Sequence, residues 1–166
     1  VGLSAIIRLA IVAAALGGSV AHTQGVVTQR ILSLAVARVI AEGALAECSS
    51  RGFRTAVVVV DRSGEILVVL RNELAHPLTV EMARRKAYTA VLFRDSTSEF
   101  QRGTASDAAR AAQRDVPGVL ALGGGVPIVV ADEILGAVAS SGSNPMADEE
   151  CARAGIAKAE ALLGAR

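Results

Sequence analysis

The chain has 166 residues, a length that suits one domain with a sizeable hydrophobic core. Trp is absent and there are only three Phe and one Tyr, so that core must be aliphatic. Seventeen basic residues face sixteen acidic ones, and the resulting net charge of +1 excludes a general electrostatic pull toward nucleic acid or anionic lipid.

Residues 1–23 read as an export signal. Arg8 supplies a weak positive start, Leu9 to Leu16 an apolar stretch, and Ser19-Val20-Ala21 a small-x-small cleavage pattern, with cleavage after Thr23 as a second possibility. The apolar run is short for a membrane span and is interrupted by Gly17-Gly18. An uncleaved anchor is the alternative. The mature chain, residues 24–166, is expected to be one periplasmic or secreted domain without a membrane span.

After a polar lead-in over residues 22–31, Ser33 is placed to cap a helix that ends near Arg51, with Gly52 at the left-handed position beyond it. Phe53 to Val60 is rich in β-branched residues and reads as a buried strand. Asp61-Arg62-Ser63-Gly64 supplies a turn, and Glu65 to Arg71 the return strand of a hairpin. A polar loop containing His76-Pro77 follows, and Thr79 is placed to cap a second helix running to about Phe93. Ala105 to Arg114 predicts a short helix. Val119 to Leu122, Pro127 to Ala131 and Ile134 to Ala139 predict three further strands. Asn144 as cap and Pro145 at the first helical position open the last helix, and Gly164 follows its end. Short connections make consecutive strands antiparallel neighbours. The expected fold class is therefore α+β, a five-stranded antiparallel sheet flanked by helices.

The two cysteines, Cys48 and Cys151, fall on apolar faces of the first and last helices. They read as small buried hydrophobes or, more sharply, as a bridge between those helices, which export would permit. Neither has a CxxC partner, which argues against a metal or redox motif. No Gly-x-Ser-x-Gly elbow presents a nucleophilic serine. Gly123-Gly124-Gly125 precedes a strand rather than a helix, which fits a hairpin turn and not a phosphate cradle. Asp148-Glu149-Glu150 suits the N-terminus of a helix.

The second helix carries the more specific pattern. Met82, Lys86, Thr89 and Phe93 share one face, flanked by Arg85, while Ala83, Ala87, Ala90 and Val91 form a small-residue packing face. The mixed face reads either as a solvated cationic surface with snorkelling stems or as part of a binding site.

Three blocks, in order, resemble the GlcG/HbpS-like family of small haem-binding proteins. They are Val57-Val-Val-Val-Asp-Arg-Ser-Gly-Glu-Ile-Leu-Val-Val-Leu70, Glu81-Met-Ala-Arg-Arg-Lys-Ala-Tyr-Thr-Ala90, and the C-terminal stretch from Gly123 to Val130, Leu135 to Gly142 and Asp148 to Gly155. The resemblance runs from about Leu32 to Leu163. It implies a profilin-like arrangement, homo-oligomers, and a haem that is sensed, stored or handed on, with iron released from it. It also implies a porphyrin near the second helix and the loop before it. There, Met82 and Phe93 would give apolar contact, Arg85 and Lys86 would face the propionates, and His76 or Thr89 would ligate the iron. Thr89 matches the family's Lys-Ala-aromatic-Thr-Ala block, whereas His76 is named on chemistry and proximity alone. The competing expectation is an accessory protein or enzyme acting on a small carboxylic acid, of the glycolate-pathway or cobalamin-associated type, with Arg85 and Lys86 as the carboxylate clamp.

Overall fold

A computed structural model of the chain describes residues 25–164, so the expected export signal lies outside the described residues. Four strands form one antiparallel sheet: β1 (Ala56–Asp61), β2 (Ile66–Arg71), β3 (Gly125–Val130) and β4 (Glu133–Ser141), in the order β2-β1-β4-β3. The period-two alternation of β1 and β4 divides the core. Val57, Val59 and Val138 face α1 (Leu34–Ser50) and α5 (Pro145–Lys158), whereas Val58, Val60, Ala137 and Ala139 face α2 (Thr79–Phe93). The sheet is therefore sandwiched between one helix and two. α3 (Thr97–Ser106), the one-turn α4 (Ala108–Ala111) and a 3₁₀ turn at Ala112–Asp115 bridge α2 to β3, and the short α6 (Glu160–Leu163) closes the chain.

Several local expectations hold. Ser33 accepts the Val36 N–H at 3.2 Å, Gly52 has φ +78°, and Asn144 accepts the Ala147 N–H at 2.9 Å ahead of Pro145. The β1–β2 turn is built by Asp61, whose Oδ1 accepts the N–H of Ser63 and of Glu65 at 2.8 and 3.0 Å.

The sheet has four strands, not five. Val119–Leu122 forms no strand, because its backbone groups pair with side chains of α2 instead of a neighbouring strand. Arg85 donates to the Val119 carbonyl, and the Leu120 N–H donates to Thr89 Oγ1 at 2.9 Å. Gly118, at φ +86°, has already turned the chain. Two further expectations shift. The helix expected over Ala105–Arg114 is split into the one-turn α4 and the 3₁₀ turn, and a separate helix, α3, capped by Ser96, precedes it where loop is expected. Thr79 does not cap α2: it is the first helical residue, and its hydroxyl donates to the His76 carbonyl at 2.7 Å.

Cys48 and Cys151 are fully buried and form a disulfide with Cα atoms 5.5 Å apart. Helices α1 and α5 cross closely because Gly43 and Gly155 face one another: a Cβ on Gly155 would collide with the Ile40 carbonyl, and one on Gly43 would stand 3.2 Å from Gly155 Cα.

Candidate functional site

Where β4 ends, a cleft of about 260 Å3 opens between the first turns of α2 and of α5. Leu78, Met82, Leu122 and Pro145 line it with apolar surface, and His76 stands at its rim. A wider groove of about 520 Å3 runs along the edge strand β3, and no candidate residue lines it.

The floor of the cleft is an ion pair. Lys86, 1% exposed, donates from Nζ to Asp148 Oδ2 at 2.8 Å and to the Ser140 carbonyl at 3.2 Å. Asp148, 2% exposed, accepts on its other oxygen from the Ser143 hydroxyl at 2.7 Å and the Ser143 N–H at 3.1 Å. Both charges are thus paired and hydrogen-bonded, the condition for burying them. Burial pushes the lysine below its ordinary range, with the Asp148 charge and hydrogen bond opposing that fall without cancelling it.

The six residues expected at the site do not converge. His76 and Met82 both line the cleft. Lys86 does too, but beneath the surface and neutralised by Asp148, so the solvated cationic face is corrected to a packed one. Arg85 is turned away to Val119. Thr89 is fully buried, and its hydroxyl donates to the Arg85 carbonyl at 2.8 Å while accepting from Leu120. It holds the 116–124 loop in place and does not line the cleft. Phe93, at the far end of α2, stacks on Phe100 with ring centroids 4.3 Å apart. Asp148 and Ser143 were not legible as site residues. Their only sequence signal was the polar run at the start of α5, which helix capping accounts for equally well.

His76 is exposed, and its Nδ1 accepts the Leu78 N–H at 3.2 Å. Leu74 and Leu78, close to it in sequence, are 62% and 60% exposed. The rim therefore offers an imidazole among apolar side chains. Among the described residues no group of three or more His, Cys, Asp or Glu could hold a metal ion, and no helix is long and apolar enough to cross a membrane.

Residues 32–157 match the family described as haem degrading protein HbpS-like. The chain belongs to the HbpS-like family. It is 31% identical over 114 residues to the protein GlcG of Escherichia coli strain K12, which covers 69% of this chain and 84% of GlcG. A crystal structure of HbpS superposes with a TM-score of 0.76 at 34% identity, covering 80% of this chain and 93% of HbpS. The structure of a PduOC–haem complex has a TM-score of 0.71 at 23% identity, covering 78% of this chain and 95% of that one, a likeness of fold. The HbpS-like match spans α1 to nearly the end of α5, and so includes every element that builds the cleft.

Proposed function

We propose that this protein binds haem at the rim of the cleft and handles it without catalytic turnover, by sensing, storing or passing it on. The observation that carries this reading is the exposed His76 imidazole beside Leu78 and Met82, in a chain of a haem-related family. The occurrence of haem in a complex of the same fold lends support at the level of architecture.

The residues present fit one edge of a porphyrin. A cleft of about 260 Å3 lies just under the range of about 300–1,000 Å3 usual for small-molecule pockets, so it takes part of the macrocycle and not the whole. The exposed Leu74 offers apolar cover outside it, next to the cleft-lining Leu78. His76 is the candidate iron ligand and Met82 an apolar contact. Because Nδ1 accepts from Leu78, a neutral ring here carries its proton on Nε2. To ligate through Nε2, His76 would need its proton on Nδ1 instead, at the cost of the Leu78 hydrogen bond. Bound haem would supply the redox-active iron, while the chain supplies the nitrogen ligand and the apolar wall. In this reading Lys86, Arg85, Thr89 and Phe93 support the cleft from behind. The small-acid alternative has less support, since both residues of its carboxylate clamp are engaged within the protein.

Export and self-association are part of the same proposal. The Cys48–Cys151 bridge supports export, because disulfides persist in oxidising compartments. N-terminal sequencing of protein recovered outside the cytoplasm should find the chain starting near residues 22–24; an intact leader on soluble protein would refute it. The alanine faces of α1 and α2 are buried within the chain, so a second copy would meet the exposed apolar residues of an edge strand, Ile66 and Val69 on β2 or Val129 on β3. Light scattering should find an oligomer, and a monomer at all concentrations would remove that part of the reading.

Haem titration of the mature protein tests the main proposal. A saturable Soret shift in the wild-type protein that moves in His76→Ala is expected. A wild-type protein without one overturns the reading.

A further inference from the structure

Both protein partners of the Lys86 ammonium abut the disulfide. Asp148, the carboxylate partner, lies three residues before Cys151 and so on the same face of α5. Ser140, the carbonyl partner, holds its own hydroxyl 3.4 Å from Cys48 Sγ. The ammonium at the cleft floor is thus held by two arms that meet at one covalent link.

The bridge is not the sole contact between α1 and α5. The middle of α1 also closes on the last turn of α5 through Gly43 and Gly155, where a Cβ on Gly155 would collide with the Ile40 carbonyl and one on Gly43 would crowd Gly155. The bridge acts further along, between the last turn of α1 and the middle of α5, one turn after Asp148. The other tie described there is the exposed Arg51–Glu150 ion pair at 2.7 Å, a type of contact that constrains little.

We infer that Cys48 and Cys151 are a positioning pair for the cleft: their bridge fixes where the Lys86 ammonium stands, beyond any part it has in holding the fold together. With the bridge closed, the first turns of α5 and the last residues of β4 present Asp148 Oδ2 and the Ser140 carbonyl to Nζ at a fixed spacing. With it open, the two acceptors move separately and the ammonium gains access to the cleft. The consequence for a ligand rests on the cleft being a binding site; the placement of the ammonium does not.

The chain contains two lysines, and Lys158 is exposed, which gives an internal reference for amine reactivity. Full-length protein is treated with acetic anhydride without haem, and acylation at each lysine is followed by mass spectrometry. In Cys48→Ala/Cys151→Ala, Lys86 should react about tenfold faster or more than in the bridged protein, while Lys158 is unchanged. Wild-type protein opened with a dithiol reductant should show the same rise. Ile128→Ala, a core truncation on β3, controls for stability alone and should leave Lys86 closer to the bridged rate. Three results overturn the inference: an unchanged Lys86 rate in folded, bridge-free protein; an equal rise in Ile128→Ala; or unfolding of both bridge-free forms, which would make the bridge a support for the whole chain. Because no haem is present, these outcomes are independent of the haem titration.

Discussion

The Lys86 ammonium and the Asp148 carboxylate meet at 2.8 Å from opposite layers of the fold, α2 on one face of the sheet and α5 on the other. They reach each other past the end of β4, where Gly124 has no side chain; a Cβ there would lie 2.8 Å from Nζ. The pair ties the two layers together at the point where the cleft opens.

Breaking one side of that pair should be costly. Lys86→Met leaves Asp148 charged and buried, and should reduce stability by about 3–5 kcal/mol in urea denaturation. Lys86→Met combined with Asp148→Leu should recover most of that loss, because two apolar side chains replace two desolvated charges. A double variant as unstable as the single one would show that the Ser143 contacts, and not the charge pair, dominate.

The lysine should also leave a mark on the pH dependence. Its folded value lies below the ordinary lysine value of about 10.5, so between the two the unfolded chain binds the extra proton. Stability therefore rises with pH across that window, is fully relieved of the penalty above 10.5, and carries the whole penalty below the lowered value. The difference in urea midpoint between wild type and the less stable Lys86→Met should widen as pH rises through the window, because only the wild type is relieved of the penalty. A gap that stays constant would contradict the assignment.

Gly155→Ala tests the helix contact that frames the site. Its new Cβ would meet the Ile40 carbonyl and stand 2.9 Å from Ala44 Cβ. Overpacking of this kind costs about 1–3 kcal/mol, and thermal denaturation should show a lowered Tm with the disulfide still formed. An unchanged Tm would mean that α1 and α5 separate easily.

The elements most legible in the sequence were those fixed by near neighbours. Ser33, the Asp61–Gly64 turn and Asn144-Pro145 each do their work within four residues, so local chemistry predicts them. Val119–Leu122 misled because its β-branched and apolar residues suit a strand, while its fate is decided by Arg85 and Thr89 some thirty residues away. Lys86 was legible as part of a face with Met82, but not as buried. That depends on a carboxylate sixty-two residues further along, whose position at a helix start already had a sufficient local explanation. The resemblance carried the family and the general architecture, while the side chains at the cleft required the fold.

The central claim is that His76 presents haem to the cleft. The most direct measurement is a haem titration of the mature wild-type protein alongside His76→Ala, followed by the Soret band and by spectroscopy of the iron coordination. The account predicts a saturable Soret shift with a nitrogen ligand in the wild type, and a shifted band with affinity at least about tenfold lower in the variant, a loss of about 1.4 kcal/mol or more. Identical spectra and affinity in the two proteins would contradict His76 as the ligand, and a wild-type protein that develops no specific Soret band would contradict haem binding itself.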